Sequence, residues 1–219
     1  MNQLFEDRAD AGRRLARELR KMKLRDPVIF ALPRGGVPVA AEVARALRAP
    51  LDLLLVHKIG APGQPEVAVA AVAAGAPPVV EVCNETLRLA GASPDYVQGE
   101  LPLHLEEIER RRRLYLQGRS SPPVAGRTAV LVDDGIATGT TVRAALRSLR
   151  DRRPERIVLA VPVAPAAQLE RLRTEVDAVV CLLTPEPFVA VGAYYHHFNQ
   201  TTDEQVVALM AAQPWAAGP

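Results

Sequence analysis

Aromatic side chains are scarce in this sequence, at 4% of 219 residues. An extended stacking surface for nucleic-acid bases is thereby excluded, and any aromatic contact to a ligand must be local. Lysine is scarcer still. Lys21, Lys23 and Lys58 are the lysines among 27 basic residues, and the rest are arginine. Against 25 acidic residues the formal net charge is +2, which makes no global electrostatic case for nucleic acid or a membrane surface. Two cysteines, Cys83 and Cys181, lie far apart, so neither a disulfide framework nor a zinc cluster is available. No apolar run approaches the ~18 residues of a membrane span. The polar N-terminus lacks a secretory apolar segment, and a cytoplasmic protein is expected. No repeat or low-complexity stretch occurs.

What is present suits one α/β domain spanning residues 1–219. Hydrophobic residues make up 48% and charged residues 24%, enough at this length for a full core without staples. Residues 4–24 read as an amphipathic helix, with Phe5, Ala9, Gly12, Leu15, Leu19 and Met22 at three- and four-residue steps. Val28 to Leu32 is a short apolar run, a buried strand. Pro33-Arg34-Gly35-Gly36 breaks it, helical spacing returns over 37–48, and Leu51 to Val56 reads as a second strand. This is a βαβ unit. Ile59 to Glu66 reads as a Gly/Pro-rich loop, 67–73 and 79–83 as a hairpin around Gly75 to Pro78, and 84–92 and 94–117 as helices. Ser120 to Gly126 is a linker. Alternation then resumes, with strands at 128–132, 156–163 and 177–183 and helices at 141–152 and 165–174. That rhythm predicts a parallel sheet covered by helices on both faces, a core over 28–183. The tail, 184–219, holds Phe188, Tyr194, Tyr195, Phe198 and Trp215 and ends in a helix over 202–212, opened by Thr202 with Gln205 as a partial capping box.

Ligands of open α/β sheets bind at the carboxyl ends of strands. Two segments fall there. In Val130-Leu131-Val132-Asp133-Asp134-Gly135-Ile136-Ala137-Thr138-Gly139-Thr140-Thr141, a hydrophobic strand runs into two acids, then into a loop of glycines and threonines that opens a helix. Glycines let successive N–H groups turn inward, and a helix N-terminus adds free donors and a positive dipole. That is a cradle for phosphate. Carboxylates repel phosphate but accept hydrogen bonds from a diol, so a sugar phosphate satisfies both halves. Asp133 and Asp134 could also hold Mg²⁺, directly or through water. No G-x-x-x-x-G-K-[ST] occurs and no G-x-G-x-x-G follows the first strand, which argues against P-loop and dinucleotide sites.

The twelve residues 130–141 resemble the phosphoribosyl-pyrophosphate (PRPP) motif of the type I phosphoribosyltransferases. The resemblance implies a parallel sheet flanked by helices with a C-terminal hood, and Mg²⁺-dependent transfer of phosphoribose from PRPP to a nitrogenous base or amine with release of pyrophosphate. It implies that Asp133 and Asp134 bind the ribose hydroxyls and that Gly135, Ile136, Ala137, Thr138, Gly139, Thr140 and Thr141 wrap the 5′-phosphate. Pro33, Arg34, Gly35 and Gly36 stand where the family's pyrophosphate loop stands, often with a cis peptide. Lys58, in Val56-His57-Lys58-Ile59-Gly60, matches a basic residue that reaches the PRPP phosphates. Asp133, Asp134 and Lys58 are thus the expected catalytic residues.

Residues 61–66 correspond to the family's flexible loop but are short and carry no base, so closure would fall to 93–100, to a neighbouring subunit, or not occur. Phe188, Val189, Tyr194, Tyr195 and Phe198 are candidate hood residues, with core closure as the alternative. His196-His197 lacks spaced acidic or cysteine partners for a metal. Arg110 to Arg113 follow Glu106, Glu107 and Glu109 on a helix, which predicts i,i+4 pairs Glu106–Arg110, Glu107–Arg111 and Glu109–Arg113. A homodimer is usual for the family. Two other functions fit the same motif less fully: a PRPP- or nucleotide-sensing regulator without turnover, and an RNA-binding regulator, for which no basic stripe is evident.

Overall fold

The computed structural model describes residues 4–75 and 77–213. Ala76 of the expected turn and Trp215 of the tail lie outside the described residues.

Five strands form a parallel sheet, four of them buried and the edge strand Ala178–Leu183 half-buried. They are β1 (Val28–Ala31), β2 (Leu51–Leu53), β6 (Thr128–Val132), β7 (Arg156–Val163) and β8 (Ala178–Leu183), in the order β2-β1-β6-β7-β8. Their near-continuous Val, Ile, Leu and Ala composition is what burial on both faces demands. The sheet grows from β1 in both directions, so β1 and its neighbour β6 flank the topological switch point. The loops after these two strands therefore open side by side.

Helices cover both faces. On one lie α1 (Arg8–Lys21), α2 (Gly36–Leu47) and α7 (Asp203–Ala211), where Leu15, Leu19, Val39, Val43 and Val206 pack with Ile29, Val130 and Val158. On the other lie α5 (Thr140–Asp151) and α6 (Ala166–Arg173), where Leu146, Leu149, Leu169 and Leu172 meet Phe30, Leu131 and Leu159. Alternate residues of each strand thus serve opposite layers.

A second, antiparallel sheet is inserted between β2 and β6. It comprises β3 (Val56–Ala61), β4 (Gln64–Ala73) and β5 (Val79–Val82), followed by α3 (Asn84–Leu89) and the long α4 (Pro94–Leu116). Here the structure departs from two expectations. Leu51 to Val56 is not one strand: pairing with β1 ends at Leu53, and Val56 already pairs with Ala73 in the other sheet. An apolar run carries no mark of where a chain leaves one sheet for another. Residues 59–66 are not a loop either, because β3 and β4 continue to a two-residue turn at Pro62-Gly63, where Gly63 takes φ +71°. The hairpin expected around Gly75 to Pro78 is present as β4 and β5.

The N-terminal helix is shorter than its periodicity suggests. It starts at Arg8, where Asp7 accepts the Asp10 N–H at 2.7 Å. Phe5, in register with the helix, instead lies in an extended segment bridged to Tyr195: Phe5 N–H donates to Tyr194 at 2.9 Å and His196 N–H to Phe5 at 2.8 Å. Tyr194 and Tyr195 are buried with Phe5, Ala11 and Val163. The tail is thus locked onto the N-terminus, and α7 opens with the full capping box of Thr202 and Gln205. On α4, Glu107 pairs with Arg111 as expected, but also with Arg110, and Glu109 pairs with Arg112 rather than Arg113. The i,i+3 geometry serves these side chains as well as i,i+4.

The Phe5 ring is 1% exposed and 5.2 Å from that of Tyr195. Phe5→Ala is expected to cost about 3–5 kcal/mol in urea denaturation. A loss below ~1 kcal/mol would show that the terminal lock does not hold the tail down.

Candidate active site

The loop after β1 and the loop after β6 enclose a pocket of about 290 Å³ at the switch point. Pro33, Gly35, Lys58, Asp133, Asp134, Gly135, Ile136, Ala137, Thr138, Gly139 and Thr141 line it. Gly36 and Thr140 lie behind this lining, with Thr140 4% exposed. Arg34 points elsewhere: its Nη1 lies 3.3 Å from Asp203 on α7, which also accepts the Tyr115 hydroxyl at 2.5 Å. The β1 loop thus contributes backbone to the pocket while its guanidinium ties the loop to α7. The Pro33–Arg34 peptide is cis.

Close approach explains the glycines. A methyl group at Gly35 would fall on the Asp134 carboxylate, and one at Gly36 would stand 2.9 Å from the Val132 carbonyl. The two loops touch because one of them has no side chain. At the far end Gly139 takes φ +78° and starts α5 with no side-chain cap. The free N–H groups of the first turn and the helix dipole therefore face an opening flanked by Thr138 and Thr141.

The acids differ in environment. Arg8 of α1 donates from Nε to Asp134 at 2.8 Å, with both side chains largely buried. Its guanidinium also donates to the Asn199 carbonyl at 2.7 Å and lies 3.9 Å over the Phe198 ring. Below it the Tyr195 hydroxyl donates to the Asp134 carbonyl at 2.5 Å, and burial holds that phenol far above its usual range. Asp133 has no such partner among the described residues. It accepts the Asp134 N–H at 2.9 Å. Burial first, and then the Asp134 charge, hold its carboxyl well above the usual range, against the opposing pull of that N–H and of Lys58. Lys58 stands exposed on β3 at the pocket wall.

Neighbouring residues fix this wall. His57 turns away from the pocket to His104 of α4, with Nδ1 atoms 2.7 Å apart, and burial lowers its pKa. Tyr96 donates to the Gly60 carbonyl at 3.0 Å. Of the expected hood residues, Tyr194 and Tyr195 are core and Val189 is exposed. Val191 is the tail residue that reaches the pocket lining. His197 pairs with Glu6 at 3.3 Å. Among the described residues, no group of three or more His, Cys, Asp or Glu side chains is placed to hold a metal ion. Arg8 is the site residue that sequence spacing does not reveal. It is 126 positions from Asp134, on a helix with four further arginines, none of them in the pocket lining.

The chain is similar to known proteins over most of its length. Residues 2–198 match the family model of the phosphoribosyl transferase domain. Proteins of two Mycobacterium tuberculosis strains, provisionally named phosphoribosyl transferases, are 45% identical over 94% of this chain. The match spans 46% of their length, so the chain covers about half of these relatives. The crystal structure of the TT1426 protein from Thermus thermophilus is 42% identical, covers 96% of this chain and 99% of its own, and superposes with a TM-score of 0.79. The AQ2163 protein of Aquifex aeolicus shares the fold at 13% identity and a TM-score of 0.53.

The adjacent acids should respond oppositely to neutralisation. Folded Asp133 keeps its proton to higher pH than it does unfolded, so its contribution to stability falls as pH rises from the ordinary carboxylate pKa, ~4, through its raised value. In the absence of divalent ions, Asp133→Asn is expected to raise the neutral-pH Tm, by about 2–4 °C per kcal/mol relieved. The gain should vanish below pH ~4. Asp134→Asn breaks the Arg8 pair and should cost about 1–3 kcal/mol. Differential scanning calorimetry from pH 4 to 8 checks both signs; equal effects would refute the asymmetry.

Proposed function

The chain belongs to the phosphoribosyl transferase domain family, and on that footing we propose that its pocket binds PRPP and transfers the phosphoribosyl group to a nitrogen nucleophile. The observation that carries the proposal is the meeting of a carboxylate pair with an uncapped helix N-terminus in one pocket. Each half alone has many uses. Together they fit a ligand that is a diol at one end and a phosphate at the other.

In this reading the segment 137–141 and the first turn of α5 hold the 5′-phosphate, remote from the bond that breaks. Asp133 and Asp134 accept the ribose hydroxyls. Asp134 shares its charge with Arg8, so the ribose meets a carboxylate already fixed in place. The backbone at 33–36 faces the pyrophosphate, and Lys58 supplies a point charge on the same side. A bond forms from the acceptor nitrogen to the anomeric carbon, the carbon–oxygen bond to pyrophosphate breaks, and the acceptor's proton is lost. The paired carboxylates favour the positive charge that develops on the sugar.

Magnesium fits the donor set as a partner of the substrate. Two carboxylate side chains are hard oxygen donors, too few for a protein-made cage but suited to an ion that keeps several waters and substrate oxygens. Asp133 and Asp134 would hold it through water. Bound there, the ion would neutralise charge on the leaving pyrophosphate. A homodimer and a cytoplasmic location belong to the same reading.

One feature favours a second function, sensing of PRPP or a nucleotide without turnover. The β3–β4 hairpin turns at Pro62-Gly63 and exposes Gln64, Pro65 and Glu66, with no cation to close over a pyrophosphate.

Calorimetric titration of Mg²⁺-PRPP into wild type and the Asp133→Asn/Asp134→Asn variant is the first test. Wild type should bind with a Kd in the micromolar range, on the order of −8 kcal/mol, and the variant at least ~100-fold more weakly. No binding by folded wild type would refute the site. Pyrophosphate release over a panel of bases and amines then separates transfer from sensing. Gly35→Ala, whose methyl meets Asp134, should lose at least ~10-fold in PRPP affinity.

A further inference from the structure

The loop after β1 must hold its backbone still with little side-chain bulk of its own. Leu32 and Val37 are buried at its two ends, but 34–36 reads Arg-Gly-Gly, so Arg34 has the one side chain of that span. A glycine backbone is the most mobile there is, whereas donors aimed at an anion act only where they are held in place. Among the described residues, the hydrogen bonds of Gly36 and Val37 stay local: their N–H groups donate to the Leu32 and Arg34 carbonyls at 3.0 and 3.1 Å. The side-chain tie from this span to another element is Arg34 to Asp203, at 3.3 Å.

Asp203 is itself held. The oxygen that faces Arg34 also accepts the Tyr115 hydroxyl at 2.5 Å, and Tyr115 is 2% exposed near the end of α4. That hydroxyl first, and then Arg34, keep the Asp203 carboxyl below its usual range, so it is a charged acceptor at neutral pH. Burial first, and then Asp203, push the Tyr115 phenol up to about 12, so it is the donor. Arg110 of α4 adds a weaker pull on Asp203 but is bonded to Glu107. Neither Tyr115 nor Asp203 lines the pocket. The same helix α4 braces the Lys58 wall through Tyr96 and His104. One helix therefore supports both flanks of the end of the pocket assigned to pyrophosphate.

We propose that Tyr115 and Asp203 are positioning residues, which act through Arg34 to fix the 33–36 backbone for the pyrophosphate of the substrate. The ligand named here rests on the PRPP reading of the pocket; the anchoring of the loop does not.

The test compares Mg²⁺-PRPP with ribose 5-phosphate, which lacks the pyrophosphate, by calorimetric titration of the full chain. Tyr115→Phe removes only a hydroxyl and Asp203→Asn only a charge. Each, like Arg34→Ala, should weaken PRPP about tenfold and leave ribose 5-phosphate within about twofold. Arg34→Ala/Asp203→Asn should be no weaker than either single variant, because both break one contact. Amide hydrogen exchange without ligand supplies the second readout. Residues 34–37 should exchange about tenfold faster in Tyr115→Phe and Asp203→Asn, with 130–134 unchanged. Equal losses for the two ligands would show general damage and overturn the proposal. So would additive losses in the double variant, or exchange at 34–37 unchanged. Tighter PRPP binding by Asp203→Asn would overturn it too, since Asp203 would then be withholding Arg34 from the ligand. If wild type binds neither sugar phosphate, the reading of the pocket fails, and the exchange measurement still decides the anchoring.

Discussion

Two consecutive carboxylates at the end of a buried strand must be compensated, and much of the molecule is arranged around that constraint. Repulsion between adjacent acids grows as water is excluded, so each needs its own remedy. Asp134 has Arg8, brought from the other end of the chain. Asp133 has a backbone N–H and the more distant charge of Lys58, and remains held toward its protonated form. The Phe5–Tyr195 lock makes the first remedy available. By fixing the N-terminal segment to the tail, it places Arg8 between the Phe198 ring and the acid. What looks like a terminal extension is part of the electrostatics of the site.

The sheet turns this local arrangement into a pocket. A parallel strand delivers its carboxyl end to the same edge as its neighbours. At β1 and β6 no helix crosses above that edge, because the chain leaves the two strands in opposite directions. The loops approach until only glycine fits at position 35. The inserted β3–β5 sheet adds one wall and Lys58, and α4 braces it through His104 and Tyr96. The five-stranded sheet and the inserted one thus have different duties. The first sets the geometry of the acids and the uncapped helix N-terminus, and the second carries Lys58 at the pocket wall.

How far this was legible follows from the range of each interaction. The 130–141 segment could be read because strand, acids, glycines and helix entry are contiguous, and each has its own local chemistry. The parallel core was legible because β1, β6, β7 and β8 are separate apolar runs between helical periods. The boundary between β2 and β3 was hidden within one apolar run, Leu51 to Val56. Periodicity kept Phe5 in a helix although tertiary pairing with Tyr195 removed it. Pro33 and Gly35 line the pocket, but the Arg34 side chain turns to Asp203, which nothing local announces. Arg8 was hidden for the same reason.

The basic residues around the acids show that charge type follows task. Where a guanidinium is used, at Arg8, it is held in several directions at once: a carboxylate, a carbonyl and an aromatic face. That is the environment a planar fork with several donors satisfies. Where the charge must face an open pocket, at position 58, the chain has one of its three lysines. An exposed ammonium on a flexible stem is not committed to any one acceptor in the free protein, so it can follow an incoming anion. Arginine at 58 would carry the same charge, but its fork would find the two carboxylates below as readily as a phosphate. A guanidinium clamped there would satisfy the acids and compete with the ligand. The fixed cation at Asp134 and the free one near Asp133 are therefore not interchangeable: the first keeps the pocket built, and the second leaves it open.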